Sequence, residues 1–150
     1  MPSLRKQRAM REAIAGRAQN RCEYCQCPQD FCPDSFHVEH IDPTANGGAD
    51  TIVNVAWTCG SCNKAKAVAT EMIDSQTGLV VSLFHPRRNF WSEHFAWDSD
   101  NDLYVIGLTP VRRATILRLQ LNHQRIVNLR RLLKLDGRHP PLDIPPTDAL

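Results

Sequence analysis

Two short cysteine pairs constrain this chain more than any other feature: Cys22-Glu23-Tyr24-Cys25, and downstream Cys59-Gly60-Ser61-Cys62. A CxxC pair offers two thiolates to one metal. Two such pairs suit a tetrahedral four-cysteine zinc site if the chain between them folds back on itself. Cys22, Cys25, Cys59 and Cys62 are therefore the candidate ligands of a structural zinc ion. One pair alone also suits redox chemistry, but here the pairs bracket His37-Val38-Glu39-His40-Ile41-Asp42-Pro43, which favours zinc. Cys27 and Cys32 are surplus and leave the ligand set ambiguous. CxxC closes a better-tested chelate than CxC, so these two are expected as free thiols in a loop.

With 150 residues and 42% hydrophobic residues, the chain can bury one modest core and is too short for two domains of ordinary size. The formal net charge of +2 does not by itself indicate a nucleic-acid partner. Its distribution says more. Arg5, Lys6, Arg8, Arg11, Arg17 and Arg21 crowd one end, Arg112, Arg113, Arg118, Arg125, Arg130, Arg131 and Lys134 the other, and the acids fall mostly between. The arginines of the N-terminal stretch over 3–18 are individually expected on a solvated face, and as a group they are expected to add to an electropositive rim. Residues 1–15 lack the apolar core of a secretory leader, and no apolar run approaches a membrane span. A soluble, cytoplasmic protein without a membrane partner is the expectation.

Leu4, Met10 and Ile14 give a loose apolar stripe, predicting a helix over 3–18. Alternation over 36–41 predicts a strand with Phe36 and Val38 on one face and His37 and Glu39 on the other. Asp42-Pro43 and Gly47-Gly48 supply a turn, 51–57 reads as the returning strand carrying Asn54, and 59–69 as a helix carrying Asn63, Lys64 and Lys66. Two hairpins follow, over 72–84 and 95–106. Thr109-Pro110 starts a helix to about 121, and Asn122 is expected to cap another that ends at Asp136-Gly137. Residues 138–150, with four prolines, read as a tail without its own core.

The order Cys22, Cys25, Glu39-His40, Ile41, Pro43, Gly47-Gly48, Asn54, Cys59, Cys62, Asn63 and Lys66 resembles the HNH endonucleases, over roughly the middle third of the chain. Their third motif position is often histidine. Here it is Asn63, an HNN variant similar to phage junction-resolving nucleases, where a zinc-binding CxxC runs straight into the asparagine. The resemblance implies an α+β fold: a zinc-stapled ββα-metal (His-Me finger) core over 22–69 with an N-terminal helix, additional β-hairpins and C-terminal helices. It implies one nuclease domain over 1–137, followed by the tail.

The activity implied is metal-dependent hydrolysis of DNA phosphodiesters, on duplex, nicked or branched DNA, in a bacterial or phage-encoded protein. By this resemblance His40 is the general base, Glu39 and Asn63 hold one catalytic Mg2+ or Mn2+, and Asn54 orients His40 or braces its loop. A carboxylate and an amide make an all-oxygen donor set, which favours magnesium or manganese over nickel, cobalt or zinc. His37, Lys64 and Lys66 are weaker candidates for DNA contact. The alternative is a zinc-stabilised nucleic-acid-binding module that keeps the fold without hydrolysis. Leu83-Phe84-His85-Pro86-Arg87-Arg88, Trp91 and Glu93-His94-Phe95 resemble extensions of a bacterial HNH subgroup. Arg87 and Arg88 are expected to be solvated there, and Glu93-His94 to be a hydrogen-bonded structural pair.

Overall fold

The alternating segment pairs antiparallel with the returning chain: β1 (His37–His40) lies against β2 (Val55–Thr58), with Glu39 opposite Ala56 and His40 opposite Val55. This is seen in a computed structural model, which describes residues 2–150. The expected strand start is displaced, because Ile52–Asn54 winds into a 3-10 turn and Asn54 stands just ahead of the strand. In the loop between the strands a Cβ at Gly48 would lie 1.8 Å from the Asp42 carbonyl oxygen, so this close backbone approach requires glycine. Helix α2 (Gly60–Lys66) completes the ββα unit. It ends short of the predicted bound because Ala67 leaves helical geometry at φ 49°.

Helix α1 (Arg8–Arg17) buries Ile14 and Ala15. Its arginines are not simply solvated. Arg17 donates to the carbonyls of Ile52 and Val55, both at 2.8 Å, and Arg11 donates to Phe36 and lies over the Trp57 ring. Guanidinium donors thus satisfy carbonyls that the short hairpin leaves open.

Downstream come two more antiparallel hairpins, β3 (Glu71–Ile73) with β4 (Val80–Ser82) and β5 (Phe95–Trp97) with β6 (Val105–Gly107), the second preceded by one turn of helix, α3 (Trp91–His94). Helix α4 (Pro110–Leu119) starts at Thr109, whose hydroxyl accepts from the Arg112 amide, and packs on α2, β6 and the β3–β4 hairpin. Helix α5 (Gln124–Leu135) is capped by His123 rather than by Asn122. The Asn122 amide instead pairs both ways with the Val105 backbone, at 2.8 Å each, and ties α5 to β6. Glu93 and His94 do not bond to each other: Glu93 accepts from the Phe90 amide, while the His94 ring rests on Phe84. Arg87 is buried in an ion pair with Glu23 and donates to Thr147 of the tail. Further tail contacts join Leu142 to Arg21 and His139 to Asp102. Among the described residues no helix is long and apolar enough to cross a membrane.

Candidate metal centre and active site

The hairpin and α2 bring the two cysteine pairs together. The sulfurs of Cys22, Cys25, Cys59 and Cys62 lie within 4.8 Å of one another, and all four residues are buried. The Cys25 and Cys59 sulfurs are 3.8 Å apart. A tetrahedron with zinc–sulfur bonds of about 2.3 Å has sulfurs roughly 3.8 Å apart, so the cluster fits the ion. The thiols bond mainly to one another. Hydrogen bonds from Cys22 and Cys25 push the Cys59 thiol down, whereas contact with Cys22 pushes those of Cys25 and Cys62 up. One thiolate can be held by neighbouring thiols, but several together need a cation. These cysteines can therefore hold a structural metal ion such as zinc.

Cys27 and Cys32, expected as free thiols, form a disulfide. The 3-10 turn at Gln29–Phe31 folds the loop back on itself between them.

Glu39 lies at the buried end of β1. Its Oε1 accepts from the Lys66 ammonium at 2.5 Å and its Oε2 from the Tyr24 hydroxyl at 3.1 Å. Burial pushes the Glu39 carboxyl up, and Lys66 and Tyr24 oppose the shift. Lys66 was a candidate DNA contact. In the structure it is 1% exposed and also donates to the Ile41 carbonyl at 2.9 Å, so its charge is already committed inside the protein. Lys64 and His37 are exposed.

His40 turns the other way from Glu39. Its Nε2 lies 2.8 Å from Oδ1 of Asp50, and Asp50 also accepts from the Leu4 amide. The bond from His40 lowers the Asp50 carboxyl below its ordinary range. Asn54 ties the intervening loop together: its Oδ1 accepts from the Asp42 amide at 3.0 Å, and its Nδ2 donates to the carbonyls of Asp42 and Ala49. Asn63 is half-buried on α2, three positions before Lys66 and so on the same side of the helix. Among the described residues no hydrogen bond joins His40 to Glu39 or Asn63.

A cleft of about 320 Å³ borders this region. Ile41, Asp42 and Lys66 form part of its lining, with His85, Arg88 and His94 from the downstream extension. The sequence reading missed Asp50, Tyr24 and the Lys66–Glu39 pair. Asp50 stands directly after Gly47-Gly48-Ala49, and its position two residues past the turn was the available signal.

No curated protein and no solved structure gives a match to the chain. Residues 22–68 match the family model described as HNH endonuclease, and all four clustered cysteines fall inside that match, so the middle of this chain is similar to an HNH domain whose cysteines could hold a metal ion.

Proposed function

We propose that the protein is a metal-dependent DNA endonuclease with His40 as general base. The observation that carries this reading is the His40–Asp50 couple at the end of β1. A carboxylate can only accept, so Asp50 fixes the proton on Nε2 and leaves the Nδ1 lone pair free to take a proton from water. A positioned base of this kind contributes roughly 10²–10⁴-fold. Asn54 holds the loop between His40 and Asp50 in one conformation, which limits the wandering of the couple.

Glu39 and Asn63 are the proposed holders of a divalent cation. Their donors are oxygens, and a cationic ammonium already rests on Glu39, so the place accepts positive charge. When bound there, Mg2+ or Mn2+ supplies Lewis-acid stabilisation of charge on the phosphate and the departing 3′ oxygen. His37 and Lys64, both exposed, are proposed phosphate contacts. The expected products carry a 5′ phosphate and a 3′ hydroxyl.

One observation favours a second reading, a zinc-stabilised nucleic-acid-binding module without hydrolysis: both oxygens of Glu39 are engaged by Lys66 and Tyr24. Plasmid nicking with Mg2+ or Mn2+, run beside His40→Ala, separates the two. The nuclease reading expects loss of cleavage in His40→Ala with DNA affinity retained. Cleavage that is equal in the two proteins, or absent from both, refutes it.

A further inference from the structure

Lys66 is a lysine at 1% exposure whose ammonium meets only oxygens: Oε1 of Glu39 at 2.5 Å, the Ile41 carbonyl at 2.9 Å and the His40 carbonyl at 3.5 Å. A carboxylate and backbone carbonyls converging on one cation form a hard-oxygen nest of the type that binds magnesium, manganese or calcium. Glu39 is the residue assigned above to the catalytic cation, and the inference rests on that assignment. We infer that Lys66 is the resident counter-cation of Glu39, and that a divalent cation binds by displacing its ammonium into the adjoining cleft.

Two cations cannot share one buried carboxylate oxygen without strong repulsion, because little water reaches Glu39, 2% exposed, to screen them. An unpaired carboxylate at that depth would itself be costly, so the lysine lets β1 and α2 stay together before metal arrives. The displaced side chain has somewhere to go. Lys66 already lines the cleft of about 320 Å³, and the acidic residues Asp42 and Glu71 are part of the same lining. Lys64, two positions earlier and exposed, has no comparable partner among the described hydrogen bonds. Metal affinity is then lowered by the fraction of time that Lys66 occupies the nest.

The test uses the zinc-loaded full chain without DNA, with Mn2+ binding followed by loss of the free-ion electron paramagnetic resonance signal. Lys66→Met should bind Mn2+ about tenfold more tightly than the native protein, a coupling of ordinary size, and Glu39→Gln should lose that site. Native or weaker affinity in Lys66→Met, with Glu39-dependent binding intact, overturns the displacement and leaves Glu39 as a ligand. No Glu39-dependent binding in any variant overturns the inference and the ligand assignment together. Because Lys66→Met leaves a buried charge unpaired and risks misfolding, the native protein supplies a second readout. Acetic anhydride should spare Lys66 without Mn2+ and acetylate it at saturating Mn2+, as read by peptide mass. Protection of Lys66 at saturation refutes the displacement.

Discussion

Replacing Asn54 by alanine isolates the loop that carries the His40–Asp50 couple. The amide makes three hydrogen bonds, from the Asp42 amide and to the carbonyls of Asp42 and Ala49, at 3.0, 2.9 and 2.8 Å. At roughly 1 kcal/mol net for each bond, Asn54→Ala removes about 3 kcal/mol. Asp42 and Ala49 are exposed, so water can take over part of their bonding, which puts the lower bound at about 2 kcal/mol. Against a total stability of about 5–15 kcal/mol this is large. Urea unfolding of the zinc-loaded protein should show the loss as a lower midpoint with an unchanged slope. Hydrogen exchange at the Asp42 amide should accelerate. Asn54→Asp should be no milder, since it keeps the acceptor for the Asp42 amide but turns a carboxylate towards two carbonyls. A loss below about 0.5 kcal/mol, the low end for a single bond, with Asp42 exchange unchanged, would refute the latch.

Stripping the metal from the four cysteines should unfold the ββα unit. Apparent zinc binding worth about 10–16 kcal/mol matches or exceeds the stability of a whole domain, and far-ultraviolet circular dichroism during chelation, or of Cys59→Ser, is the measurement. Unchanged spectra after complete chelation would remove the metal from any part in folding. Asp74 gives the pH dependence: the Arg113 fork, with Thr77, holds its carboxyl well below the usual carboxylate range. A depressed folded pKa contributes stability that is complete above the unfolded value of about 3.9 and is lost as pH falls through the folded value. The native advantage over Asp74→Asn in urea should therefore stay level from about pH 7 to 5 and begin to shrink only near the unfolded value. Shrinkage already within that upper interval would contradict the assignment.

The parts of the fold that were legible in the sequence are those coded by neighbouring residues. The pairing of cysteines in CxxC, the Thr109-Pro110 helix start and the Gly47-Gly48 turn each depend on a few consecutive positions; the helix start and the turn stand in the structure, and the two cysteine pairs meet where they could hold one metal ion. What escaped depends on partners brought together only by folding. Asn122 looks like a cap from its neighbours, yet Val105 across the fold claims both ends of its amide. Arg17 and Arg87 read as surface charge because the carbonyls of Ile52 and Val55, and the carboxylate of Glu23, are distant in sequence. Lys66 looked like a phosphate contact beside Asn63 because helix spacing places it near the motif. Its spacing gives no sign of which way the ammonium turns.

Those distant pairs also link the cysteine cluster to Glu39. Tyr24 sits between Cys22 and Cys25 of the cluster, and its hydroxyl reaches past them to Oε2 of Glu39. On α2, Cys62 and Lys66 are one turn apart on the same face, so the helix turn that presents a sulfur to the cluster also presents the ammonium to Oε1. Each oxygen of Glu39 is thus held by a residue that the cysteine cluster positions, one from each CxxC arm. If the cluster opened, both arms would release the carboxylate together, and a buried acid without partners would leave β1 or take up a proton. Residues carried on the two cysteine arms thus hold both oxygens of Glu39, although no described hydrogen bond joins a sulfur to it.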